Sequence, residues 1–214
     1  SLLARVFKPG EKVDTMLVLT GKQGMFKSTS FETLVGTPWF LSTKLDLSNK
    51  DSYIALRGKW LVEFGEMAAV RKVDDSVSKG WMSQAVDTYR APFAKRAEDH
   101  PRQTVACGST NEEEFLTDPT GYRRYRPIPV DRADLKWIGE HREQLFAEAV
   151  TLHAAGETWW FDEGTEWAER MKKWAAPYQT SHPWTTTVVA WLEQTARAKG
   201  GADTFTTVDI LARS

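Results

Sequence analysis

A single cysteine, Cys107, in a chain of 214 residues excludes an internal disulfide and fits a reducing cytoplasm, where a lone thiol within an apolar run reads as buried and structural. The four histidines, His100, His141, His153 and His182, are scattered without metal-ligand spacing, which argues against a zinc site. No apolar stretch is long enough to cross a bilayer, and Ser1-Leu2-Leu3 does not begin a signal peptide. A net charge of -1 supplies no general basic field, so any nucleic-acid contact has to come from a local patch. Repeats and coiled-coil heptads are also missing. What remains is a composition of 41% hydrophobic and 12% aromatic residues, with ten tryptophans, which supports a packed core and excludes a disordered chain. The expectation is a soluble, cytoplasmic protein with no membrane contact, whose abrupt ends read as those of an excised domain.

The most informative stretch is Met16-Leu17-Val18-Leu19-Thr20 followed by Gly21-Lys22-Gln23-Gly24-Met25-Phe26-Lys27-Ser28-Thr29. An apolar strand runs here into the pattern G-x-x-x-x-G-K-[ST], with Gly21, Lys27 and Ser28 in register and Phe26 where the second glycine belongs. Backbone N–H groups of such a loop, with the N-terminus of the following helix, form a concave donor array for phosphate oxygens. Lys27 then reaches the β- and γ-phosphates of ATP, and Ser28 offers its hydroxyl to Mg²⁺. The whole run of residues 21–29 is the expected nucleotide-binding segment. The alternative is a glycine-rich turn that binds nothing, and Phe26 keeps it open.

Apolar, β-rich runs at residues 16–20, 60–64 and 104–107 alternate with helix-compatible stretches, which predicts an α/β fold around a mostly parallel sheet flanked by helices. After Pro127-Ile128-Pro129 the character changes, and apolar residues at helical spacing predict a helix over residues 135–153. The expected organisation is a P-loop core over residues 1–130 and a helical C-terminal region, read as truncated, over residues 131–214. The tail tryptophans, Trp159, Trp160, Trp167, Trp174, Trp184 and Trp191, are expected to pack in the core rather than to form a base-stacking surface.

Other segments carry residue types suited to phosphoryl transfer. The run Trp60-Leu61-Val62-Glu63-Phe64-Gly65-Glu66 is a strand with carboxylates in and after it, a Walker B type arrangement. Glu66 is the candidate to polarise the attacking water, and either Glu63 or Glu66 holds Mg²⁺ through water. Alternate strand residues face opposite ways, so Glu63 and Glu66 are not equivalent. Asn111, after the strand of residues 105–110, is placed to orient the lytic water or touch the γ-phosphate. Arg123 and Arg124, in a cluster with Arg126, are candidate arginine fingers, acting within the chain or from a neighbouring subunit; the alternative is a solvated surface segment. Arg90, Lys95 and Arg96 lie in a predicted loop with aromatics and suit a DNA backbone, or else form a plain exposed loop.

In this order the motifs resemble the virulence-associated protein E family, P-loop ATPases related to superfamily 3 helicases and carried by phages, plasmids and genomic islands. The resemblance rests on Lys8-Pro9-Gly10, Gln23-Gly24, Leu56-Arg57-Gly58-Lys59-Trp60-Leu61-Val62-Glu63, Gly65-Glu66, Tyr89-Arg90-Ala91-Pro92-Phe93, Ser109-Thr110-Asn111 and Asp118-Pro119-Thr120-Gly121-Tyr122-Arg123-Arg124. It implies an AAA+-like core in which Lys27 and Ser28 hold ATP, Glu66 is the Walker B acid and Asn111 the first sensor. It further implies that Arg123 and Arg124 act across a subunit interface of a homo-oligomeric ring, commonly hexameric. Arg90, Lys95 and Arg96 then face single-stranded or forked DNA in a central channel, and a primase is the implied partner or fused domain. The activity implied is that of a DNA helicase motor in mobile-element replication. Two departures stand out: Phe64-Gly65-Glu66 lacks the aspartate many relatives place before the glutamate, and Phe26 replaces glycine. Its ring either occludes the site or points outward from a normally shaped loop.

Overall fold

The computed structural model describes residues 1–42, 49–65, 75–118, 120–180 and 191. Ser1–Gln179 forms one compact unit with the expected α/β architecture. A short helix, α1 (Leu2–Phe7), precedes β1 (Met16–Thr20), α2 (Lys27–Val35), β2 (Phe40–Ser42), α3 (Lys50–Ala55) and β3 (Leu61–Gly65). Then follow α4 (Asp75–Ser83), the strands β4 (Val86–Tyr89), β5 (Glu98–Pro101), β6 (Val105–Thr110) and β7 (Tyr125–Pro129), and the helices α5 (Leu135–Ala154) and α6 (Glu166–Ala175). Among the described residues no helix is long and apolar enough to cross a membrane.

Five strands form a parallel sheet in the order β2-β3-β6-β1-β7. Alternate residues divide between two apolar layers, as a period of two requires. Met16, Val18, Val62 and Ala106 enter one layer with Trp81, Phe115 and Tyr125. Leu19, Leu61, Val105 and Cys107 enter the other with Phe31 and Val35 of α2. β6 is buried along its whole length, and the Cys107 thiol, enclosed there, is pushed well above its ordinary pKa by burial and by the nearby Glu63 charge.

The three strands read from the sequence are present, and the helix expected over residues 135–153 is α5, with Asp134 capping it by accepting a hydrogen bond from the Trp137 N–H at 3.0 Å. α5 packs along α2 inside the same compact unit, so the helices that follow residue 130 continue the core. Pro127-Ile128-Pro129, which reads as a break, belongs to β7. Proline has no N–H to give a second neighbour, and β7 is an edge strand paired only with β1. Core packing does not hold for all the tail tryptophans: Trp160, Trp167 and Trp174 stay about half exposed, Trp159 is partly buried against the α2 layer, and Trp184 lies outside the described residues.

β4 and β5 form a separate antiparallel hairpin. Its base is clamped by Arg102, which is 2% exposed and donates to both Asp87 carboxylate oxygens, from Nε at 3.0 Å and from Nη2. Arg102 also donates to the Trp81 carbonyl at 2.6 Å and stacks its guanidinium 4.4 Å over the Trp81 ring. Trp81 in turn meets Phe64 of β3 edge-on at 5.1 Å, which ties the hairpin base to the main sheet. Removing one member of such a pair leaves a buried charge uncompensated, a change that costs about 3–5 kcal/mol. Asp87→Ala is therefore expected to lower unfolding stability in urea by that amount, and a loss below about 1 kcal/mol would mean that the clamp carries little.

Candidate functional site

Because β1, β3 and β6 are parallel, their carboxyl ends deliver residues to one edge of the sheet, where ligands of open α/β sheets bind. The segment of residues 21–26 leaves β1 at this edge and turns into α2. Gly21 has φ +146°, and a Cβ there would lie 2.3 Å from the Val130 carbonyl oxygen; only glycine fits between the loop and the chain leaving β7. The Gly21 N–H donates to the Thr110 carbonyl of β6 at 3.2 Å.

Lys27 opens α2 and is 7% exposed. Its ammonium donates three hydrogen bonds, to the carbonyls of Gly21 at 2.8 Å and Lys22 at 2.7 Å and to Asn111 Oδ1 at 2.9 Å. Burial lowers its pKa, and the Glu63 charge partly restores it. Ser28, on the same first turn, donates to Glu63 Oε1 at 2.5 Å. Glu63 is fully buried and accepts two further bonds, from Ser109 Oγ to Oε1 at 2.7 Å and from Ser42 Oγ to Oε2 at 2.9 Å. Strand parity explains the meeting: Leu61 and Glu63 of β3, and Cys107 and Ser109 of β6, all face the α2 layer.

Phe26 takes the left-handed conformation, φ 60° and ψ 28°, that glycine would adopt at no steric cost. For a residue with a Cβ this costs about 1–2 kcal/mol. The loop thus keeps its turn, and the ring, 42% exposed, turns outward beneath the Arg132 guanidinium, 5.6 Å from its centroid. Of the other predicted binding residues, Lys22, Gln23 and Gly24 are exposed at the rim, Thr29 is exposed on α2, and Met25 is half-buried with its carbonyl accepting from the Ala133 N–H at 3.0 Å.

Lys27, Ser28, Glu63 and Asn111 therefore converge from α2, β3 and the end of β6. Glu66 lies outside the described residues. Arg123 and Arg124 precede β7 and sit at the opposite, amino-terminal edge of the sheet, one strand length or about 16 Å away; Arg123 pairs there with Glu163. The structure does not bring them to Lys27. Arg90, Lys95 and Arg96 are exposed in the connection between β4 and β5, beside Phe93, which is fully exposed with φ 65°. Sequence reading missed Ser109, Ser42 and Arg132. Ser109 was findable as a polar residue two places after Cys107 on the same strand face, whereas Ser42 depends on a three-residue strand with no sequence signal of its own.

Ser28 and Glu63 offer hard oxygen ligands of the kind Mg²⁺ takes in small number, and Ser42 and Ser109 orient the Glu63 carboxylate by hydrogen bonds. Among the described residues no three His, Cys, Asp or Glu side chains gather as a metal cage would require.

A family model described as Virulence-associated protein E-like domain matches residues 1–178. No curated protein matches the sequence. Among solved structures, the chain is similar to the apo A form of the NrS-1 C-terminal region, CTR(305-718), with 17% identity and a TM-score of 0.44, over 83% of this chain and 37% of that one. A second apo A form structure of the NrS-1 C-terminal region is similar with 17% identity and a TM-score of 0.45, over 66% of this chain and 37% of that one. The chain spans little more than a third of the length of either.

A fully buried carboxylate satisfied only by neutral hydroxyls in the described structure is held against its own desolvation cost, an arrangement typical of sites kept for function rather than stability. Glu63→Gln preserves shape and can still bond the three serines. Thermal unfolding of that variant is expected at or above the parent Tm. Destabilisation beyond about 2 kcal/mol would show that the charge is a structural necessity, since hydrogen bonds to charged groups contribute about 1.5–3 kcal/mol.

Proposed function

The chain belongs to the virulence-associated protein E-like domain family, and from that premise we propose that it is a Mg²⁺-dependent ATPase, the motor domain of a cytoplasmic DNA helicase that acts in replication of a phage or other mobile genetic element. One observation supports this above the rest: Lys27, Ser28, Glu63 and Asn111, spread over residues 27–111, meet at the carboxyl edge of a parallel sheet beside a glycine-hinged loop.

Each residue has a role that its contacts make available. The backbone of residues 21–28 receives the phosphates at the start of α2. Lys27 exchanges its two loop carbonyls for β- and γ-phosphate oxygens and remains in reach of Asn111, which orients the attacking water. Ser28 and Glu63 are the residues that would hold Mg²⁺, and the ion would supply neutralisation of phosphate charge. Glu66, next after β3 in the chain, polarises the water and takes its proton, so that the water oxygen bonds to the γ-phosphorus as the bond from that phosphorus to the β–γ bridging oxygen breaks and ADP leaves. Arg123 and Arg124, on the far sheet edge, serve the site of a neighbouring subunit in a homo-oligomeric ring. Arg90, Lys95 and Arg96 present the exposed hairpin tip to single-stranded or forked DNA, with a primase as partner or as a further domain.

A second reading is a degenerate P-loop that works in oligomerisation or DNA binding without hydrolysis. One observation favours it: all three Lys27 donors are already satisfied inside the protein. Mg²⁺-dependent ATP turnover, measured with and without single-stranded DNA, separates the two. The ATPase reading expects stimulation by DNA and a fall of at least about a hundredfold in Lys27→Ala, the scale on which loss of one preorganised donor acts. Turnover unchanged by Lys27→Ala removes Lys27 from the mechanism, and DNA binding without turnover establishes the second reading.

A further inference from the structure

Phe26 carries a left-handed backbone at the last position of the loop, and its ring gains little burial in return. A strained residue that packs poorly in the free protein is a pointer to a ligand that completes its surroundings. The ring and the Arg132 guanidinium, 5.6 Å apart, border a cavity of about 440 Å³ lined also by Ala133, Asp134 and Leu135. Phe26, which lines it, directly precedes Lys27 in the chain. The segment that carries Arg132 is held by two backbone hydrogen bonds, from the Val130 N–H to the Thr20 carbonyl at the end of β1 at 2.8 Å and from the Ala133 N–H to the Met25 carbonyl of the loop at 3.0 Å. Arg132 is thus carried by a segment that cannot drift far from Phe26.

An aromatic face and a guanidinium plane are the two side-chain surfaces on which nucleobases stack. Asp134 caps α5, and Leu135 begins that helix, so the remaining walls belong to a regular element. We propose that Phe26 and Arg132 form the seat for the base of the nucleotide whose phosphates enter the loop of residues 21–28, so that the residue replacing glycine supplies base affinity. The inference rests on the nucleotide-binding reading above and adds to it a site for the planar heterocycle, distinct from the phosphate contacts.

Mg²⁺-ATP and Mg²⁺-tripolyphosphate separate base from phosphate in calorimetric titrations of the full chain. Stacking on one aromatic side chain corresponds to a preference of about tenfold or more, so the parent is expected to bind ATP at least about tenfold tighter than tripolyphosphate. Phe26→Leu and Arg132→Gln are expected to reduce that preference several-fold, the ratio of ATP to tripolyphosphate affinity being the readout whatever either change does to phosphate affinity itself. Phe26→Gly, which relieves the left-handed strain and so keeps the fold, is expected to lose the preference in the same way. Equal binding of ATP and tripolyphosphate by the parent, or an unchanged preference in Phe26→Gly, overturns the base seat and leaves the phosphate site standing. Binding of neither ligand overturns the nucleotide reading itself, and the seat with it.

Discussion

The hydrogen bonds that Glu63 accepts from Ser28, Ser42 and Ser109 hold the site together. They join the first turn of α2 to three neighbouring strands at the one edge where the sheet opens. A carboxylate buried without a hydrogen-bonded cation is an expensive way to fasten a helix, because each hydroxyl returns only part of the lost hydration. Its advantage is that the same oxygens suit a divalent cation. Lys27, one residue before Ser28, is set by the same turn, and its three acceptors keep a mostly buried ammonium satisfied. The neighbouring loop can therefore hold its shape without a ligand.

β6 lies between β1 and β3, and this insertion lets Asn111 and Ser109 reach groups that are far apart along the chain. The same topology separates two groups of charged residues. The cluster containing Arg123 and Arg124 precedes β7 and falls at the edge remote from Lys27, so an arginine from this cluster meets a phosphate only if a second copy presents it. The β4–β5 hairpin stands outside the main sheet, yet Phe64, Trp81, Arg102 and Asp87 form a packed chain from β3 to its base.

Much of this was legible in the sequence where one physical signal dominated. The strand of residues 16–20, the loop after it and the helix read over residues 135–153 each announce themselves by apolar pattern and punctuation, and the helix runs one residue further, to Ala154. The loss of legibility has particular causes. β7 contains two prolines, which read as a break unless the strand is known to lie at an edge. Ser42 matters only through a short strand that no local pattern marks. Glu63 and Glu66 compete as carboxylates in sequence, whereas parity and register put Glu63 beside Ser28. Trp160, Trp167 and Trp174 follow helical spacing or neighbour it, yet remain half exposed, because spacing tells which residues share a face and not whether a partner covers it. Phe26 was the least legible: only its left-handed backbone and outward ring show how the loop accommodates it.

The central claim is that the internal partners of Lys27 and Ser28 stand in for a nucleotide and its metal. A crystal structure of the chain with Mg²⁺ and a non-hydrolysable ATP analogue tests this most directly. The account predicts that Lys27 Nζ leaves the Gly21 and Lys22 carbonyls for β- and γ-phosphate oxygens, and that Ser28 Oγ turns from Glu63 to the metal. Saturating analogue that leaves all three Lys27 hydrogen bonds intact, with no phosphate in the loop of residues 21–28, would contradict it.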